Sequence, residues 1–264
     1  MKVVTALTAL AISTGAFAAA DSSLNDLQYL PNAGTKYGVT EYSHTKVTGF
    51  KSNDVDQTLG YALKDNLSLE LGLTYGHADG GSETDGLGDI TLGARYRLAG
   101  FSNRFDIVGG VSVSPGDEEV DSDGDANNYS GGHALNVGVE YGNKTNERQW
   151  KVGAYYNHLL EATTDFDGDK EKADAHGELS FAAEILTRIG EKCFFKTSAA
   201  VEFEQKHDVE DVEVKGSTIW SLGGEYQHFI NSDLFVSAGA TALLPGKSEN
   251  RGAMRYHVGA SYQF

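Results

Sequence analysis

Twelve stretches carry alternate apolar side chains, their connections alternate short and long, and helix-period stripes are nearly absent. Together these predict an all-β fold: a single 12-stranded antiparallel transmembrane β-barrel with short periplasmic turns and long acidic extracellular loops. Successive side chains on a strand point to opposite faces, so period two sorts residues by the solvent each face meets. A two-sheet sandwich alternates as well, but it has no reason to sort its loops by parity. A barrel does, because every second connection lies on the same side of the membrane.

The start of the chain reads as removable. Met1-Lys2, an apolar run over 3–12 and Ala16-Phe17-Ala18 form a signal peptide, 1–18, too short to span a bilayer. Residues 19–34 read as a periplasmic N-terminal leader. Within it, 23–30 can make a helical turn before Pro31, and a small plug stands as the alternative to a loose leader. The barrel is assigned to 35–264.

The first strand, about 35–46, reads worst, because Glu41 interrupts the face begun by Tyr37 and Val39. The second gathers Val55, Leu59, Tyr61 and Leu63. The third is the cleanest, with Leu67, Leu69, Leu71, Leu73 and Tyr75 against Ser68, Glu70, Gly72 and Thr74. The fourth sets Ile90, Leu92, Ala94 and Tyr96 against Asp89, Thr91, Arg95 and Arg97. The fifth, sixth and seventh place Ile107, Val139 and Val152 on the apolar face. The eighth to eleventh place Phe181, Val201, Leu222 and Val236 there. The twelfth is 254–264.

Connections at 64–66, 100–102, 142–149, 190–192 and 229–233 form the short set. Those at 47–53, 77–86, 114–132, 160–175, 205–216 and 244–250 form the long set. At the short-turn end the apolar face carries Tyr37, Tyr61, Tyr96, Phe105, Tyr141, Trp150, Phe195, Tyr226 and Phe264. Such a ring suits a membrane interface, where an apolar body with a polar tip is at home.

The closing strand puts Met254, Tyr256, Val258, Ala260, Tyr262 and Phe264 on one face. It resembles the terminal signature of bacterial outer-membrane β-barrels. That resemblance implies Tyr262 and Phe264 as an assembly signal and the barrel assembly machinery as a partner. The expected location is the bacterial outer membrane, with its lipid and lipopolysaccharide as surroundings.

Composition narrows the function. A net charge of −17 argues against nucleic acid, which wants a basic stripe. Negative mean hydropathy is compatible with a barrel, since half of each strand and all the loops face water. Cys193 is the single cysteine, so an intrachain disulfide is excluded. With the apolar face on lipid, the pore-lining set becomes Glu70, Asp89, Arg95, Arg97, Arg104, Asp106, Glu140, Lys151, Glu178, Glu184, Lys196, Glu202, Glu225 and Arg255, with Glu204 beside them. Twelve strands lie between the side-chain-filled eight-strand size and the open porins, so a narrow pore is expected. Acids outnumber bases in the lumen, which favours small neutral or cationic solutes over anions. The alternative is a non-conducting structural or adhesion barrel in which the same charges pair across the lumen.

Asp121, Asp123 and Asp125 crowd one long loop, and Asp165, Asp167 and Asp169 another. The alternating carboxylates suit a hard cation, calcium or magnesium, although Gly and Glu are missing where an EF-hand loop needs them. No other cofactor is indicated. An enzyme is not expected: none of the eight histidines has Ser two residues on, as a barrel phospholipase needs. No nucleotide loop, zinc motif or Ser elbow appears either. A barrel hydrolase and a soluble secreted β-protein remain the competing classes.

The segment Gly86-Leu87-Gly88-Asp89-Ile90-Thr91-Leu92-Gly93-Ala94-Arg95-Tyr96-Arg97 resembles the Gly-Leu-Gly-Asp stretch of a broad family of porin-like outer-membrane transporters. That family is associated with the phenol meta-degradation pathway. The resemblance covers one strand and the general layout. It implies passage of small, often aromatic compounds, with Gly86, Gly88 and Asp89 as motif positions and no binding role attached.

Overall fold

Period-two stretches pair with their chain neighbours because a hairpin satisfies the backbone N–H and C=O groups of both strands. The computed structural model describes residues 24–47, 49–79, 83–99, 103–115, 118–120, 132–166, 169–209, 212–246 and 252–264. The expected signal peptide lies outside them. The strands are β1 (Lys36–Val47), β2 (Phe50–Lys64), β3 (Leu67–Asp79), β4 (Glu83–Ala99), β5 (Asn103–Val113), β6 (Glu118–Val120), β7 (Ala134–Lys144), β8 (Arg148–Leu159), β9 (Ala162–Phe166), β10 (Asp169–Ala173), β11 (His176–Arg188), β12 (Cys193–Glu204), β13 (His207–Val209), β14 (Val212–Val214), β15 (Thr218–Asn231), β16 (Leu234–Pro245) and β17 (Ala253–Gln263).

Twelve of them close into an antiparallel barrel in the order β1-β17-β16-β15-β12-β11-β8-β7-β5-β4-β3-β2. The remaining five form a small sheet within the long connections, ordered β14-β13-β10-β9-β6. Closure is made by β1 against β17, from Tyr37↔Gln263 to Lys46↔Met254. Phe264 N donates to Lys36 O at 2.9 Å and Lys36 N to Phe264 O at 3.3 Å, so the ladder runs to the last residue. No barrel edge is left unpaired, which a bilayer demands of any sheet that spans it. Among the described residues no helix is long and apolar enough to cross a membrane.

The two faces have opposite chemistry. Outside, Leu69, Leu92, Val137, Phe181, Leu222 and Val258 stand exposed, and none is covered by a second layer of protein. Inside, Arg95, Asp106 and Glu140 are buried to 0%, 0% and 1% exposure. A water-soluble domain arranges these the other way round. The aromatic ring at the short-turn end is present in Tyr61, Tyr96, Tyr141, Trp150, Phe195, Tyr226 and Phe264, all exposed outward.

Tyr37 departs from that ring. It is 3% exposed and points inward, where its OH donates to Glu70 Oε1 at 2.6 Å. The face of β1 is therefore opposite to the one expected: Tyr37, Glu41, Ser43 and Thr45 look into the barrel, and Glu41 interrupts nothing. The physical reason lies in two cross-strand fits. Gly60, opposite Tyr37, leaves room for that ring, since a Cβ there would sit 2.1 Å from Tyr37 Cζ. On the outer side Gly38 accepts the ring of Tyr262 in the same way.

Two connections expected to be long are hairpins whose strands run on. Val47 pairs with Phe50, and Asp79 with Glu83. A polar strand end projecting into water has the same composition as a loop, so composition could not separate them.

Candidate functional site

Inward-facing positions follow from the ladder, because directly paired residues share a face. Glu70 lies opposite Gly60 and Gly93, Arg97 opposite Asp106, Glu140 opposite Gly153, and Glu184 opposite Lys151 and Ser198. Lys196 lies opposite Glu225, and Arg255 opposite Thr45 and Thr241. Asp89, Arg104, Glu178 and Glu202 share that inward register. The structure thus turns all fourteen expected charges toward the interior.

Nine of them fall into two networks, while Glu70 is held by Tyr37, Arg104 faces Asp26 and Glu178 takes Asn157. In the first, spread over β4, β5, β7, β8 and β11, Arg95 Nη1 reaches Asp106 Oδ2 at 2.9 Å and Glu140 Oε2 at 2.6 Å. Arg97 grips Asp106 through Nε and Nη2 at 2.8 and 2.9 Å. Glu140 also takes Lys151 Nζ at 3.2 Å and the Tyr155 hydroxyl at 2.7 Å. Lys151 then bridges to Glu184 Oε2 at 3.0 Å. Charges so deeply buried persist only when paired and hydrogen-bonded, and Asp106 and Glu140 each have at least two partners.

The second network continues around the wall over β12, β15, β17, β1 and β2. Lys196 meets Glu225 Oε2 at 2.8 Å, and His257 Nε2 and Gln227 Nε2 complete that carboxylate at 3.0 and 2.6 Å. Arg255 Nη2 stands 3.5 Å from Glu41 Oε1 and 3.7 Å from Asp56 Oδ2. Part of this network, and Glu184 at the edge of the first, are not sealed. Lys196 is 23% exposed, Glu184 24%, Glu41 26% and Asp56 35%. Space accessible to water therefore reaches inward-facing charges in the middle of a closed barrel.

The short-turn end is occupied by the chain itself. Residues 24–31, read from sequence as a loose leader, are buried inside the barrel. Leu24, Tyr29 and Leu30 pack with Tyr37 and Phe235, and Tyr29 meets Tyr37 edge to face at 4.9 Å. The backbone is held as well: Leu27 N donates to Gln149 Oε1 at 3.1 Å, and Gln28 O accepts from Arg97 Nη2 at 2.7 Å. Asp26 takes Lys144 and Gln149 on its two oxygens, with Arg104 Nη1 3.7 Å away. A burial of this kind replaces a loose leader because the segment brings both an apolar cluster and a carboxylate to positions that answer them.

The expected lumen set lacks Glu41, Asp54, Asp56 and Tyr155 on this inner face and Asp26 in the segment beneath it, and it omits His257, which shares the polar face of the closing strand with Arg255. Asp54 and Asp56 flank Val55, whose outward position was legible, so the same alternation could have found them. Of the acidic-loop candidates, Asp121, Asp123, Asp125 and Asp167 lie outside the described residues. Asp165 and Asp169 fall on the paired strands β9 and β10.

An apolar outer face around a closed sheet with an ion-paired polar interior defines an outer-membrane β-barrel. The chain belongs to the outer membrane protein β-barrel domain family, which matches residues 4–183, and its place is the bacterial outer membrane. Among solved structures it is similar to the COG4313 outer membrane channel from Pseudomonas putida F1. The TM-score is 0.69 at 14% identity, over 88% of this chain and 96% of that one. The NanC porin gives 0.58 at 10%, covering 85% and 98%. The KdgM porin, solved in complex with disordered oligogalacturonate, gives 0.51 at 6%, covering 86% and 99%. At these identities the likeness is one of fold. No curated protein matches the chain.

Proposed function

We propose that the barrel is a narrow, porin-like passive channel for small neutral or cationic solutes, its periplasmic mouth covered by residues 24–31. The observation that carries this reading is the partial exposure of Glu184, Lys196, Glu41 and Asp56 inside a closed barrel. Water that reaches these groups marks a path between the two charge networks. Glu41, Asp54 and Asp56 add to the acidic excess, so the field along that path favours cations. The channel and porin folds of its structural neighbours support the same reading. Small aromatic compounds join the solutes to be tried on the resemblance carried by 86–97. Lipopolysaccharide at the long-loop end, with calcium or magnesium at the acidic loops, and the barrel assembly machinery at Tyr262 and Phe264 complete the proposed partners.

The fully buried Arg95–Asp106–Glu140 cluster favours a second reading, a non-conducting structural barrel. Planar-bilayer recordings of the refolded full chain and of a variant lacking 24–31 separate the two. The channel reading expects larger or more frequent conductance steps without the segment, and silence from both forms would leave the structural barrel standing.

A further inference from the structure

At the long-loop end the barrel wall and the small sheet bring His176 to Glu204 and His207, which lie close together in the chain. His176 opens β11, Glu204 closes β12 and His207 opens β13. The register sets Glu178 opposite Glu204, which brings the start of β11 level with the end of β12. Ligand atoms of His176, Glu204 and His207 all fall within 4.8 Å of one another.

The hydrogen bonds around the cluster settle which atom of each side chain can serve as a ligand. His176 Nδ1 lies 3.2 Å from the Asp174 carbonyl, which can only accept, so the proton sits on Nδ1 and Nε2 keeps its lone pair. Ser217 Oγ donates to Glu204 Oε2 at 2.7 Å and fixes that carboxylate, leaving Oε1 toward the two imidazoles. His207 is 8% exposed, and its Nδ1 is buried without a hydrogen-bond partner. Glu204 Oε1 stands 3.7 Å from that nitrogen and 3.9 Å from His176 Nε2, too far for hydrogen bonds. Ligands on one tetrahedral ion with bonds of about 2.0–2.1 Å stand about 3.3 Å apart, so a small contraction brings all three into reach.

We propose that His176, Glu204 and His207 bind one divalent transition-metal ion of the zinc type, with water in the fourth position. Two neutral imidazoles and one carboxylate suit such an ion, whereas calcium and magnesium want an all-oxygen shell. The rings are stacked at 3.9 Å and 9°, which directs their lone pairs side by side. Loading therefore turns one ring about its broad χ2 torsion. The bound ion ties β13 to the barrel wall at its mouth, and this holds whether or not the barrel conducts.

The test uses metal-stripped, refolded full chain, with folding of every variant checked by heat-modifiable gel mobility. Zinc titration should show one site per chain, and cobalt in its place should give the visible bands of a low-coordinate nitrogen and oxygen site. His176→Ala and His207→Ala should each abolish the cobalt bands. Ser217→Ala should weaken zinc by about tenfold, the loss typical of a group that orients a ligand. A triple variant, D121N, D123N and D125N, should bind as the parent does. Equal zinc affinity in the parent and in the folded H176A/H207A double variant would overturn the proposal, as would loss of the site in the triple acidic-loop variant.

Discussion

Burial pushes the Asp26 carboxyl up to about 6 from its ordinary 3.8, against the opposing pull of Lys144 and Arg104 and the Gln149 hydrogen bond. A raised acid binds its proton more tightly when the segment is docked. Docking is thus strongest below pH 3.8, weakens as pH rises through the window to 6, and is flat above it. Two units correspond to roughly 3 kcal/mol at most. Conductance of the full chain should therefore be lower at pH 4 than at pH 7, and Asp26→Asn should flatten that difference. A second residue-level contrast concerns the two networks. Arg95→Ala removes the guanidinium that the buried Asp106 and Glu140 carboxylates share and should cost about 3–5 kcal/mol in denaturant unfolding. Arg255→Ala, beside partly exposed partners at 3.5 and 3.7 Å, should cost about 1 kcal/mol or less. Equal losses in the two variants would contradict the distinction between the sealed Arg95 cluster and the partly exposed partners of Arg255.

Among the elements, the clean strands were legible because one face meets lipid and the other meets charge. Leu69 and Leu71 against Glu70 in β3, or Phe181 against Ser180 in β11, can be read only one way. β1 was not legible, since both its faces are mixed and its orientation is set by Tyr37 over Gly60 and Tyr262 over Gly38, contacts with other strands. Between a loose leader and a small plug, the sequence of 24–31 leaves the choice open for a related reason. Leu24, Tyr29 and Leu30 carry the apolar signal, but what answers them, Tyr37 and Phe235, is supplied by β1 and β16. The metal-ligand cluster was equally hidden: Glu204 and His207 are near in sequence, while His176 arrives only through the β11–β12 register. At this scale the account predicts that deleting 24–31 leaves the barrel foldable, because the segment contributes no barrel strand. Heat-modifiable mobility should persist in that deletion, and its loss would mean that the segment is part of the barrel's folding core.

At the scale of the whole molecule, the pattern of exposed leucine, valine and aromatic side chains around a closed wall was foreseen from periodicity alone. What periodicity could not foresee was how the enclosed charges divide. Their signs were readable, but their pairing depends on strand neighbours and on a segment that folds back into the short-turn end. The central claim is a water-filled, acid-biased path through that interior. It is tested most directly by the reversal potential of the refolded barrel lacking 24–31, recorded in a planar bilayer across a potassium chloride gradient. A potential of cation-favouring sign, reduced when Glu41 and Asp56 are both changed to their amides, is the predicted result. An anion-favouring potential, or no current at all, would contradict the account.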